Sequence, residues 1–410
     1  MSTIAAGTTT TTTLVHTGDT TGNLVLQTNN TGSGGTTAIT IDTSQRVTLA
    51  NTLSVAGAVS VTGALTTTGS VNAPNTFGFK NRIINGGMVI DQRNAGASVA
   101  FTTAAYTLDR WVGAVGTATG TTIQRSTTST TGFSNSALIT IGTGASPAAG
   151  AVNRIYQVIE GFNIADLAWG TASAATVTLS FWVRSSVTGT FSGALYGAST
   201  IQSYPFNYTI SAANTFEQKT VTIAGPTTGT WDSTNGTGIY VNFDLGSGTT
   251  FKGTAGAWAT GTFIGVTGAT NLCATTGATF YITGVQLETG STATSFDYRP
   301  YGTELALCQR YCFVPASNSR YVGQCDATTR ALIIYVFPQT MRSGPNATLA
   351  SAATYNVTTA AGGTVAGTSV SLSGGYTDTA QVAISVASGL VAGDATLVTA
   401  SGTTIFSAEL

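Results

Sequence analysis

Charge is what this sequence has least of. Of 410 residues, 15 are Lys or Arg and 16 are Asp or Glu, or 8% together, where an ordinary soluble domain carries about 25%. A formal net charge of −1 leaves no basic face for a phosphate backbone, which argues against nucleic-acid binding by counterion release. There is one histidine, His16, in a Thr-rich leader, so His-based catalysis and His-ligated metal are not expected. Proline is scarce and the 50 glycines follow no triplet, so the chain is not collagen-like. Four cysteines, at 273, 308, 312 and 325, show no dense disulfide spacing. Free thiols are expected, in a chain made in a reducing cytosol. No apolar run reaches the roughly 18–20 residues of a membrane-spanning helix, and the opening MSTIAAGTTTTTTLVHTGDTTG lacks a basic stretch followed by an apolar segment. Neither a signal peptide nor membrane insertion is expected.

What is present is Thr, roughly one residue in five, with Gly, Ala and Val, at 42% hydrophobic content. That content is too high for a disordered chain. The β-branched residues favour strands, with hydroxyls supplying the polar surface.

The first 78 residues contain one aromatic, Phe77, and three charges, Asp19, Asp42 and Arg46, so this stretch builds little core alone. From Val47 it repeats in sixes: VTLANT, LSVAGA, VSVTGA, LTTTGS. The first positions are Val47, Leu53, Val59, Leu65 and Val71; the fifth are Asn51, Gly57, Gly63 and Gly69. Alternation of strand type is thus punctuated every six residues by Gly or Asn, where a bend is absorbed. Three readings fit: a single-chain β-helix, an ordinary Gly-rich meander, and a shaft in which three identical chains turn these apolar positions to a common axis. About 24 residues make little more than one coil of a β-helix, and stacked repeats need several units, which favours the trimeric shaft. Upstream, NLVLQT, TAITID and VTLA read as short strands joined by hairpin turns.

Aromatics and charges appear from about residue 79. Stretches such as 175–186, 218–225, 238–246 and 278–288 alternate as half-buried strands; Val221 and Ile223, for example, alternate with Thr220 and Thr222. Residues 79–301 therefore read as a β-sandwich or jelly roll. One helix signal follows, with Thr303 as cap and Leu305, Cys308 and Cys312 on one face. Residues 313–410 return to strands and read as a second, small β-sandwich. The expected organisation is all-β: an N-terminal segment 1–22, a shaft 23–78, a sandwich 79–301, a helical joint 302–312 and a tip 313–410.

NRIINGGMVIDQR (81–93), YTLDRW (106–111), QVIEG (157–161), LSFWVRSS (179–186) and above all GVQLETGSTATSFDYRPYGTELALCQRYC (284–312) resemble a β-sandwich module of bacteriophage tail-fibre and minor tail proteins. FPQTMRSGP (337–345) and the terminal SAEL extend the likeness. The resemblance implies a homotrimeric virion fibre assembled in the host cytoplasm. Its N-terminus would dock on tail or adaptor proteins, and its sandwiches, similar in fold to carbohydrate-binding modules, would meet a host glycan or surface protein. A purely structural virion part (a head fibre or collar) and a glycan-degrading tailspike are the alternatives.

Asp109-Arg110-Trp111 and Asp297-Tyr298-Arg299 bracket the sandwich. They read as a ligand cradle or, preferably, as structural residues containing a buried Arg–Asp pair. Trp231 and Trp258 lie in Gly/Thr-rich loops and are the candidates for stacking on a sugar face; loop packing is the other reading. Residues 79–301 hold nine carboxylates, none spaced to nominate a glycosidase pair. Lys80, Lys219 and Lys252 are the only lysines, so a Ser–Lys dyad in the tip has no base. Cys308 and Cys312 form no CxxC pair, and no metal site or cofactor is expected.

Overall fold

The computed structural model describes residues 24–28, 36–41, 44, 47–49, 79–101, 103–359 and 361–410. The chain divides into two units, Met1–Asn72 and Ala73–Leu410. In the first, Leu24–Thr28, Thr36–Ile41 and Val47–Leu49 form an antiparallel three-stranded sheet, with Leu24 opposite Ile41 and Ile39 opposite Leu49. Val47 is 62% exposed in the single chain. The other hexad positions, Leu53, Val59, Leu65 and Val71, lie outside the described residues, as does the N-terminal segment 1–22.

The second unit opens with a sandwich of two antiparallel sheets. The six-stranded sheet runs Glu217–Ile223, Val177–Ser185, Thr279–Thr289, Ser136–Thr140, Thr122–Ser126, Val99–Ala100. The seven-stranded sheet runs Ala259–Thr260, Gln202–Ile210, Gly189–Gly197, Thr237–Asp244, Asn153–Glu160, Trp111–Val115, Ala105–Tyr106. Period-two alternation sends one set of side chains from each strand into the gap between the sheets. Phe181 of the six-stranded sheet meets Phe243 of the other edge-to-face at 4.9 Å, and Phe191 and Phe280 lie 6.0 Å apart. Trp111, Ile155, Leu179, Val241 and Ile282 complete a core sealed from water.

The helix, α1, spans Tyr301–Gln309 and starts directly after Pro300, two residues before the Thr cap expected from sequence. Pro300 holds an extended conformation at the N-cap, and no side chain caps the helix. Cys312 falls outside α1, in the strand Cys312–Phe313. The helix packs through Cys308, Leu305 and Leu307 on Ile84 and Ile90.

Beyond it, six strands close on themselves in the order Ser319–Ala327, Arg330–Val336, Thr379–Val386, Thr364–Gly375, Tyr355–Thr358, Ala395–Ala400, the last pairing back with the first. The small second β-domain is therefore a closed barrel, filled by Ile333, Tyr335, Tyr355, Val382 and Val398. A three-stranded sheet of Cys312–Phe313, Ile405–Ser407 and Asn346–Thr348 lies beside it. The chain end then returns to the sandwich. Ala408 N donates to Tyr311 O at 2.8 Å, Tyr106 Oη donates to Leu410 O at 2.8 Å, and Arg342 donates to Ala408 O and Glu409 O, both at 2.7 Å.

Candidate functional site on the outer face of the seven-stranded sheet

The side chains that do not enter the core make the outer face of this sheet. On Thr237–Asp244, Ile239, Val241 and Phe243 point inward, so Tyr240, Asn242 and Asp244 point outward. On Asn153–Glu160 the same alternation puts Arg154, Tyr156 and Val158 outside. Register aligns them. Tyr196 stands opposite Tyr240, Asn242 opposite Tyr156, Tyr156 opposite Val112 and Val112 opposite Tyr106. The result is a band of four tyrosines crossing five strands.

Contacts hold the band in shape. Tyr196 and Tyr240 rings are 5.4 Å apart, and Tyr240 and Tyr156 5.7 Å. The Arg154 guanidinium lies 4.0 Å from the Tyr156 ring centroid and 5.8 Å from that of Tyr240. Arg154 Nη1 donates to Asn242 Oδ1 at 2.7 Å, and Asn242 Nδ2 donates to Ala194 O at 3.1 Å. Burial lowers the Arg154 pKa from its ordinary value, against the neighbouring tyrosines, and raises that of Tyr156. A guanidinium stays protonated in proteins, so Arg154 is a cation laid on aromatic faces.

The band is bounded. At one end Asp244 pairs with Lys252 and accepts from Ser192 Oγ at 3.0 Å and from Ser247 N at 2.7 Å. Along the outer edge Leu410 packs against the apolar cluster of Val112, Ala114, Tyr156 and Val158. Tyr156 and Asn242 are buried and hold Arg154 in place, while Tyr196, Tyr240 and Arg154 are half-buried. Two half-buried rings beside a fixed guanidinium are the chemistry of a surface that stacks on the C–H face of a sugar and donates to its hydroxyls. Tyr240 and Asn242 belong to the alternating stretch 238–246, and a tyrosine at an outward strand position is the one signal of this face in the sequence.

The residues singled out from sequence lie elsewhere. Trp231 and Trp258 meet each other at 5.3 Å and Trp169 at 5.0 and 5.4 Å, all edge-to-face. Their indole N–H groups donate to Thr228 O (3.3 Å) and Ala224 O (2.7 Å), and both rings are half-buried against the sandwich core. Arg110 is 1% exposed and pairs not with an aspartate but with Glu409. Asp109 instead accepts from Gln92 N (2.7 Å) and Gln92 Nε2 (2.6 Å). The last residues of the chain bring the carboxylate that Arg110 meets. Trp111 is fully buried and donates to Asn85 O at 3.1 Å. Arg299 Nε sits 3.7 Å from Asp297 Oδ2, with Glu304 as a second partner. Burial pushes the Cys273 thiol up to about 12 and raises Cys308 and Cys312 as well, which makes them unreactive. Among the described residues no group of three or more His, Cys, Asp or Glu is placed to hold a metal ion.

No protein-family model and no curated protein matches this chain. Among solved structures it is similar to the enzymatically active domain of tailspike protein 4 of bacteriophage CBA120, at 14% identity and TM-score 0.27, over 51% of this chain and 21% of that one. It is also similar to a family 4 carbohydrate-binding module, at 14% identity and TM-score 0.26, over 50% of this chain and 98% of that one. A third likeness is to the family 11 carbohydrate-binding module of Clostridium thermocellum in complex with a β-1,3-1,4-mixed-linked tetrasaccharide, at 10% identity and TM-score 0.25, over 49% of this chain and 100% of that one.

Proposed function

We propose that this chain is a bacteriophage tail fibre that binds a host-surface glycan without cleaving it. The carrying observation is the band of Tyr196, Tyr240 and Tyr156 with Arg154 laid across it. Binding is non-covalent and multivalent: three chains share the shaft, and several copies per particle raise avidity without a tight single site. The tail-fibre assignment rests on the resemblance of residues 79–345 and on the hexads. A binding role rather than catalysis is supported by the carboxylates of the sandwich. All nine are engaged by protein groups: Asp91, Asp109, Asp232 and Glu288 by hydrogen bonds, and Glu160, Asp166, Glu217, Asp244 and Asp297 by ion pairs.

Affinity electrophoresis of the full chain in gels containing host surface polysaccharide tests this reading. The wild type should be retarded, and Tyr240→Ala should weaken binding by about tenfold while keeping its near-ultraviolet circular dichroism. Equal retardation of both proteins would remove the sheet face from the reading, and shortening of the polysaccharide would replace it with a tailspike. Light scattering should return a trimer; a monomer at micromolar concentration would end the shaft argument.

A further inference from the structure

A pocket lies on the sandwich where the segment entering at residues 81–89 meets the loops at 132–134 and 296–299. Its volume is about 220 Å³. None of its residues belongs to the tyrosine band, and its lining includes Asp297, Tyr298 and Arg299. We propose that it binds a single neutral pyranose ring, a terminal hexose of a surface glycan. The proposal shares its ligand class with the reading above but not its residues, and it stands if that reading fails.

One wall is aromatic. Phe133, Phe296 and Tyr298 touch pairwise, with ring centroids 4.9, 5.5 and 4.9 Å apart. Tyr298 remains 60% exposed. An exposed ring supported by two others is a rigid platform, and loses little freedom when a ligand settles on it. Gly132 makes the wall close up: it has φ +91°, and a Cβ there would stand 2.8 Å from the Tyr298 hydroxyl.

The opposite side is polar and held in place before any ligand arrives. Asp297 N donates to the buried Gln286 Oε1 at 2.8 Å, which pins the loop that carries the rings. Asp297 Oδ2 accepts from Asn81 N at 3.2 Å. Its side chain is 15% exposed, against 4% for Arg299 and 9% for Glu304, so it is the charged group of the three that a ligand meets first. A carboxylate beside an aromatic platform suits a ring with one apolar C–H face and hydroxyl donors on its edge.

Charge and size narrow the class. One guanidinium faces two carboxylates, a local excess of one negative charge, which disfavours uronic and sialic acids. Pockets for drug-sized ligands run to about 300–1,000 Å³, so this one holds one ring and not a chain segment. The glycan would enter by its end here, whereas the half-buried Tyr196 and Tyr240 on the sheet face suit an internal stretch.

The test uses the intact chain and five small probes: methyl glucoside, methyl galactoside, methyl mannoside, glucuronic acid and tetramethylammonium chloride. Saturation-transfer NMR reports binding. At least one neutral methyl hexoside should bind in the millimolar range, with glucuronic acid weaker. Tyr298→Ala, which removes an exposed side chain, should weaken that hexoside by about fivefold or more, and Asp297→Asn likewise. Tyr240→Ala should leave it unchanged. The proposal is overturned if no neutral hexoside binds, if binding survives Tyr298→Ala, or if tetramethylammonium is the tightest probe, which would make the pocket a cation site. Failure of the sheet-face reading appears instead as unaltered polysaccharide retention in Tyr240→Ala.

Discussion

Arg110 and Glu409 stand 299 positions apart and form an ion pair with side chains 1% and 5% exposed. Arg110 also donates to Val158 O and lies 3.6 Å from the centroid of the Tyr311 ring. Glu409 has a second partner in Arg93 at 3.0 Å. The pair therefore joins the sandwich, the segment after α1 and the last residues of the chain at one buried point. Removing one member of such a pair costs about 3–5 kcal/mol, so Arg110→Ala should lower unfolding free energy in urea by that amount. Arg110 also has φ +69°, a conformation that costs a residue with a Cβ about 1–2 kcal/mol. Arg110→Gly should accordingly be milder than Arg110→Ala by about 1 kcal/mol. A reversed order would mean that the backbone relaxes when the guanidinium goes.

The same pair shows where sequence reading stops. Strands were legible because alternation is local: Val221 and Ile223 name their own strand, and Glu217–Ile223 forms as expected. Barrel closure was not, because it depends on Ser319 meeting Ala400 and Gln324 meeting Ala395, a pairing with no local signature. The tyrosine band was hidden for the same reason. Tyr196, Tyr240 and Tyr156 come from three separated stretches, and only register sets them side by side. The partner of Arg110 has no local signature, because Glu409 lies 299 positions along the chain; the Arg–Asp pair within the bracketing residues is Arg299 with Asp297.

The tryptophan cluster separates packing from recognition. Each edge-to-face aromatic pair contributes about 0.5–1.5 kcal/mol beyond its buried area, and Trp169, Trp231 and Trp258 make three such pairs. Trp231→Ala and Trp258→Ala should each lower stability by about 1–3 kcal/mol. The double variant should lose less than the sum, because both single changes delete their shared contact. Polysaccharide retention should be unchanged in both. Loss of retention with the melting temperature intact would move the binding surface to these loops.

Acid should loosen the joint behind α1. Glu160 is 1% exposed; Arg310 Nε donates to it at 2.9 Å, Arg310 Nη2 at 2.5 Å, and Tyr311 Oη donates as well. Burial alone would raise the Glu160 carboxyl, but these hydrogen bonds outweigh it and hold the pKa below the ordinary value of 4.5. A lowered carboxylate contributes stability that is present above its unfolded pKa and is lost as pH falls through the folded one. The melting temperature should therefore fall below about pH 4.5. Glu160→Gln should melt lower at neutral pH and show a shallower acid limb. Parallel limbs in the two proteins would assign the acid loss to other carboxylates.

Salt discriminates between encounter by long-range field and binding by contact. With a net charge of −1 and 8% charged residues, the chain projects little field, and steering adds little to association. Among the described residues eight cations, Arg82, Arg93, Arg110, Lys219, Lys252, Arg299, Arg310 and Arg330, are already paired with carboxylates at short range, where screening is weak. Arg154 is itself committed to Asn242 and the tyrosine rings. Polysaccharide retention should then change by less than about twofold between roughly 50 and 500 mM sodium chloride. A steep decline would mean that Arg154 meets an anionic group on the glycan, and Arg154→Gln would then abolish the salt dependence, whereas with a neutral ligand it weakens binding equally at both salt concentrations.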